Sequence, residues 1–234
     1  MSNLIDEINA LEAGWHGRGS VSAPVIAALE RHARGCGEIA RSMETGTGRT
    51  TLLLSHLSQD HLVFTIDDTG DGNSLARVRE SPLLNTATTR FVVGPSQRTL
   101  LSHDFQGPLD LAYLDGPHAY PFPELEYWAV YPHLRPGALL VVDDVQIPSI
   151  ANMHDVLCAD AMYEPLGVVD NCAFLRRTSA PALDPFGEGW WEQAYNDRVS
   201  TSHLTLLERA VRRAKLATPE PLRELLKGRI RRAR

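Results

Sequence analysis

At 234 residues, 43% hydrophobic and 22% charged, the chain is long enough to bury one α/β core and is neither collagen-like nor wholly disordered. No apolar run nears the roughly 18 residues that span a bilayer, so no membrane-crossing helix is expected. Residues 1–200 carry 13 Arg, no Lys and 26 Asp+Glu, an acidic body that argues against a nucleic-acid-binding domain, since phosphate contacts need a basic face.

Two helices open the chain. The first carries Leu4, Ile8 and Leu11; the second starts near Ser22-Ala-Pro24 and stops at Gly35, a proline-in, glycine-out pairing. Short apolar runs then alternate with helical stretches. Strands are predicted at Ile39–Met43, His61–Asp68, Thr89–Val93, Leu109–Asp115 and Ala138–Asp144, with a closing pair at Gly167–Asp170 and Cys172–Arg176. Helices are predicted between them at Thr50–Leu57, Asn73–Glu80, Gln97–His103, Pro123–Tyr131 and Ala151–Met162. This alternation implies right-handed crossovers and an α/β fold, a Rossmann-like, mostly parallel seven-stranded sheet with helices on both faces. The organisation divides into N-terminal helices (1–36), a core (37–180) and an aromatic segment with a basic tail (181–234). That tail, with 10 Lys+Arg against 3 Glu over 201–234, shows helical spacing at Leu204, Leu207 and Val211 and again at Leu222, Leu225 and Leu226. Its helices are expected to pack on the body or on a second subunit, a route to a homo-oligomer. Cys36, Cys158 and Cys172 are too few and too scattered for a disulfide framework or a zinc knuckle. Met1-Ser-Asn-Leu-Ile-Asp-Glu has neither the basic start nor the apolar core of a secretory signal, and a cytoplasmic location is expected.

Three predicted strands end in acid: Asp67-Asp68, Asp115 and Asp143-Asp144. Ligands of open parallel sheets bind beyond the carboxyl ends of the strands, so these acids converge on one region. Glu44-Thr45-Gly46-Thr47-Gly48 follows the first strand, where glycines allow a sharp turn and close approach to a ligand. It is not a phosphate-binding Walker loop, because no Gly-Lys-Ser/Thr follows, and Thr51 replaces the third glycine of the dinucleotide fingerprint. Three carboxylates in one crevice, Asp115, Asp143 and Asp144, would repel one another unless a divalent cation joined them, and oxygen ligands suit magnesium or manganese.

These motifs resemble the class I S-adenosylmethionine-dependent methyltransferases: acid-x-Gly-x-Gly after the first strand, then an acid ending the second. The resemblance implies that Glu44, Thr45, Gly46, Thr47, Gly48 and Thr50 surround the methionine end. It gives Asp67 or Asp68 the ribose hydroxyls, places Gln97 (with Arg98) near the adenine, and sets Asp115 at the pocket edge. Asp115-Gly-Pro-His118 with the later Asp143-Asp144 resembles the metal-dependent O-methyltransferases of the catechol and macrolide-sugar types. There Asp115, Asp143 and Asp144 would hold the metal and His118 would be the general base acting on a small-molecule hydroxyl. His16 and Arg18 in the N-terminal segment would cover the cofactor. Two alternatives stay open: another chemistry on the same cofactor, such as a lyase or hydroxylase, or a non-catalytic partner subunit. Two aromatic groups are also undecided. Tyr120, Phe122, Tyr127, Trp128 and Tyr131 form a substrate wall or a packing face, and Phe186, Trp190, Trp191 and Tyr195 a lid, a dimer contact or a core plug.

Overall fold

The computed structural model describes residues 2–11, 21–67, 73–197 and 205–208. The chain divides into a unit of Met1–Tyr195 and one of Asn196–Arg234. The tail helices expected beyond 204, apart from residues 205–208, lie outside the described residues, as do His16, Arg18 and Asp68.

In chain order the first unit runs α1 (Ser2–Asn9), α2 (Ala23–Gly35), β1 (Ile39–Thr45), α3 (Arg49–Leu57), β2 (Ser58–Thr65), α4 (Ser74–Glu80), β3 (Thr89–Val93) and α5 (Ser96–Thr99). It continues with β4 (Leu109–Leu114), α6 (Phe122–Val130), β5 (Leu134–Val142), α7 (Pro148–Ala159), β6 (Tyr163–Val169) and β7 (Cys172–Arg177). The seven strands form one sheet in the order β3-β2-β1-β4-β5-β7-β6. β1 to β5 pair in parallel, and β7 runs antiparallel between β5 and β6. The order reverses between β1 and β4, which opens the crevice where such sheets bind ligands.

Alternation along each strand builds two cores. In β5, Ala138, Leu140 and Val142 join Met43, Phe64, Tyr127 and Val130 on the α6–α7 face. Leu139 and Val141 join Ile26, Leu29 and Leu52–Leu54 on the α2–α3 face. Ser22 caps α2, its hydroxyl accepting from the Val25 amide, with Pro24 in the first turn.

Element boundaries depart from the sequence expectations where proline and glycine mislead. β5 begins at Leu134, paired with Leu109, and carries Pro136 and Gly137 within it. Those residues ordinarily signal a loop, and a register shift between Leu109 and Leu111 accommodates them. β2 begins at Ser58, directly after α3, and stops at Thr65 rather than Asp68. α7 starts at Pro148 in place of Ala151, because proline suits a first helical turn. The N-terminal helices pack through Ile8, Val25, Ile26 and Leu29 into the α2–α3 face.

Candidate active site

A cavity of about 500 Å3 opens at the carboxyl ends of the strands. Its walls are Gly46 and Thr47 after β1, Thr65 and Ile66 at the end of β2, Gly94–Gln97 after β3, and Asp115–His118 after β4. Gly46 has φ +86°, and a Cβ there would lie 2.6 Å from the Asp115 carbonyl oxygen, so the first loop closes on the fourth only because this residue is glycine. Gly94 (φ +142°) makes a similar approach to Thr99. Gly46, Thr47, Gln97 and Asp115 therefore line one cavity.

Glu44, Thr45, Gly48 and Thr50 are not among the lining residues. Successive residues of a strand face opposite ways, and β1 uses this to send Glu44 and Thr45 to different layers. Glu44 is fully buried: its carboxylate accepts from Thr50 Oγ1 at 2.9 Å and lies 3.3 Å from His61 Nε2. His61 Nδ1 continues to Ser42 Oγ at 2.7 Å, and Ser42 to Ser58 at 2.5 Å. Both Glu44 oxygens meet protein partners beneath the loop, and the side chain is not among those lining the cavity. Thr45 serves the other layer, donating to Glu126 Oε2 at 2.9 Å and accepting from the Asp115 amide at 3.0 Å. Gly48 precedes α3 and donates its amide to Thr51 Oγ1. Asp67 is exposed just past the lining residue Ile66 and accepts from Asn73 Nδ2 at 3.2 Å.

The acids of β4 and β5 differ in kind. One side-chain donor atom each from Asp115, His118 and Asp144 falls within 4.8 Å of the others. His118 Nε2 lies 3.5 Å from Asp115 Oδ1 and 3.3 Å from Asp144 Oδ2, and all three side chains are partly exposed. Asp144 reaches this position with φ +56°, left-handed backbone that a non-glycine residue adopts at a cost, aspartate more readily than most. The Ser149 hydroxyl donates to the His118 carbonyl and ties the turn to the first turn of α7.

Asp143, expected as a third metal ligand, stands outside this cluster. Tyr113 Oη donates to its Oδ2 at 2.7 Å, and the Asp144 amide donates to its Oδ1 at 2.9 Å. Desolvation pushes the Asp115 carboxyl up to about 7; the His118 hydrogen bond opposes this, and the like charges of Asp143 and Asp144 add to it. The hydrogen bond to Asp115 raises His118, while burial opposes. Burial also raises Asp143 against the pull of Tyr113.

Two residues of this neighbourhood escape the sequence motifs. Tyr113, fully buried in β4, fixes Asp143. Glu126, 3% exposed, lies on the buried stripe of α6 with Pro123, Tyr127 and Val130. Its helical spacing in that stripe was the available signal. Among the aromatics, Tyr127 and Tyr131 stack at 5.3 Å, and Trp190 packs edge-on to Tyr131 at 5.3 Å, which makes them packing residues. Tyr120, Phe186 and Trp191 stay largely exposed.

Residues 43–145 match the model of a family described as a methyltransferase domain. No curated protein matches the chain. Solved structures share its fold. The O-methyltransferase TomG from Streptomyces achromogenes, in complex with S-adenosylmethionine and involved in tomaymycin synthesis, is 17% identical, with 75% of this chain and 90% of that one covered at a TM-score of 0.57. An O-methyltransferase from Bacillus cereus, in complex with S-adenosylhomocysteine, is 17% identical over 75% and 91%, at 0.54. A TDP-rhamnose 3'-O-methyltransferase of calicheamicin biosynthesis is 22% identical over 65% and 77%, at 0.50. With an acid-lined crevice at the switch point of a seven-stranded sheet and a methyltransferase-domain match spanning β1 to β5, the chain has the class I methyltransferase fold and is similar to the S-adenosylmethionine-dependent O-methyltransferases.

Proposed function

We propose that the protein transfers the methyl group of S-adenosylmethionine to a hydroxyl of a small molecule, a sugar or secondary metabolite, with assistance from magnesium or manganese. The observation that carries this reading is the meeting of Asp115, His118 and Asp144 at the rim of a cavity that Asp115 and His118 also line. The cavity, about 500 Å3 and walled by Gly46, Thr47, Gly94–Gln97 and Asp115–His118 at the carboxyl ends of the strands, has room for the cofactor. When bound, S-adenosylmethionine supplies an electrophilic methyl group. Asp67, just past the end of β2, or Asp68 would take the ribose hydroxyls, and Gln97, in the cavity wall, would face the adenine.

Two carboxylates and an imidazole fit a hard divalent cation with room left for oxygen ligands. Asp115 and Asp144 would hold it, and it would supply Lewis acidity toward the acceptor hydroxyl. Asp143 would act through its hold on the Asp144 amide. His118 Nε2 then takes the proton of that hydroxyl, kept in place by Ser149 on its carbonyl and by the two flanking carboxylates. The same proximity favours a second reading in which His118 is itself a metal ligand. The sugar acceptor draws on the TDP-rhamnose enzyme that shares the fold. Among the described residues no helix is long and apolar enough to cross a membrane, and Cys36, Cys158 and Cys172 form no disulfide. A cytoplasmic enzyme acting on a small molecule, not on nucleic acid or at a membrane, accords with both and with the acidic body, and self-association through the tail belongs to the same proposal.

The test is formation of S-adenosylhomocysteine over a panel of sugars and phenols, with and without EDTA, alongside Mn2+ binding followed by EPR. Asp144→Ala is expected to weaken Mn2+ by about tenfold or more and to abolish turnover. His118→Ala with Mn2+ affinity intact and turnover lost marks a base; loss of both marks a ligand. Full turnover in EDTA removes the metal from the proposal.

A further inference from the structure

We propose that Glu126 is a positioning residue that sets the Asp115–His118 turn from beneath, with one carboxyl oxygen directing the Thr45 hydroxyl that takes the Asp115 amide and the other packed under Gly116. The inference rests on the reading above only in giving that turn its chemical role. Glu126 projects from the face of α6 that Pro123, Tyr127 and Val130 bury in the α6–α7 core. An apolar side chain would pack there without the cost of burying a polar group, which runs to several kcal/mol when hydrogen bonds do not offset it. The contacts say what the carboxyl does instead.

The Thr45 hydroxyl donates to Glu126 Oε2 at 2.9 Å, and the Asp115 amide donates to Thr45 Oγ1 at 3.0 Å. A hydroxyl has one hydrogen. With that hydrogen committed to Glu126, the oxygen's lone pairs are left to face Asp115, so the acid fixes the direction of a relay it does not itself complete. The second oxygen abuts the next residue: a Cβ on Gly116 would lie 1.9 Å from Glu126 Oε1. The turn therefore rests directly on the carboxyl, and Glu126 lines the small cavity under Asp115, Gly116 and His118. Burial pushes the Glu126 carboxyl up to about 7, while the nearby Ser96 and Thr45 hydroxyls, the His118 charge and the Gly116 amide hold it down. Every polar group named there belongs to the cavity rim or to the loop that buttresses it, so α6, β1 and the β4 turn meet at this side chain.

Amide hydrogen exchange read residue by residue, together with calorimetry of S-adenosylhomocysteine, tests the assignment. Glu126→Ala is expected to speed exchange at Asp115 and Gly116 by about tenfold beyond any change in the core strands, and to weaken S-adenosylhomocysteine by about tenfold. Glu126→Gln keeps an acceptor for Thr45 and is expected to stay within about threefold of wild type in both. Thr45→Val cuts the relay without touching α6; it should match Glu126→Ala at Asp115 and keeps the test decisive if that variant does not fold. Uniform acceleration across all amides with unchanged cofactor affinity would assign Glu126 to packing alone and overturn the proposal. Wild-type protein that fails to bind S-adenosylhomocysteine would instead overturn the methyl-transfer reading, while the exchange pattern still decides the role of Glu126.

Discussion

Two walls of the cavity both end in acid, yet the acids do opposite things. On the β1 side, Glu44 is fully buried and its oxygens are matched by Thr50 and His61, with Ser42 and Ser58 completing a chain behind them. On the β4–β5 side, Asp115 and Asp144 are partly exposed and share one imidazole, whose Nε2 sits more than 3 Å from each. A buried carboxylate whose oxygens both meet protein donors stiffens a loop, and a partly exposed one keeps acceptor sites that can take a cation or substrate. An acid at a strand end is thus a ligand signal only after its internal partners have been counted.

Gly46→Ala should break the comparison most severely, because residue 46 is where the walls touch. Its φ of +86° disfavours any side chain, and the added Cβ would meet the Asp115 carbonyl at 2.6 Å, backbone that cannot rotate away. The expected loss is about 2–4 kcal/mol of stability in urea titration and about a hundredfold in S-adenosylhomocysteine affinity by calorimetry. A variant that binds normally would mean that the cofactor does not approach the first loop.

Glu44→Ala separates the walls. It strands Thr50 and His61 in the core, so the expected cost is about 2–3 kcal/mol of stability. S-adenosylhomocysteine affinity of the folded protein should change by less than about threefold, since no lining group is lost. A large affinity loss with little destabilisation would return Glu44 to the ligand role that its motif suggests.

Much of this was legible in the sequence, and the exceptions share a cause. The mostly parallel seven-stranded sheet follows from periodicity, and the glycine loop and the nearness of Asp115 and His118 to Asp144 from short motifs, all of which are local, whereas the strand order is set by the fold. The commitment of Glu44 to His61 and of Asp143 to Tyr113 joins residues 17 and 30 positions apart, and only strand register sets such pairs. Glu44 and Tyr113 are themselves register partners across β1 and β4. Glu126 was half visible: its place on the apolar stripe of α6 marks it as buried, but the reason for burying it lies on β1 and in the β4 turn. Asp67 lies two residues past the end of β2, whereas Asp68 lies outside the described residues.

The second wall should also reveal itself by pH. Asp115, with a folded value of about 7 against an ordinary 3.8, binds its proton more tightly in the folded protein. Its contribution is therefore fullest below 3.8 and is lost as pH rises toward 7. His118 is raised from 6.5, so the stability it lends is present below 6.5 and disappears as pH climbs through its folded value. Glu126, raised by burial from 4.5 to about 7, has the same sign as Asp115. The metal-free protein should accordingly be less stable in urea at pH 8 than at pH 5, on the order of 2 kcal/mol after allowance for the partial exposure of Asp115 and His118. Asp115→Asn should lessen the slope and leave the share of Glu126, and Glu44→Ala should leave it in place, because the first wall is a separate network. Added magnesium should restore stability at pH 8 and do little at pH 5, where its ligands hold protons. A slope that magnesium leaves untouched would mean that the acids of β4 and β5 repel one another without sharing a cation.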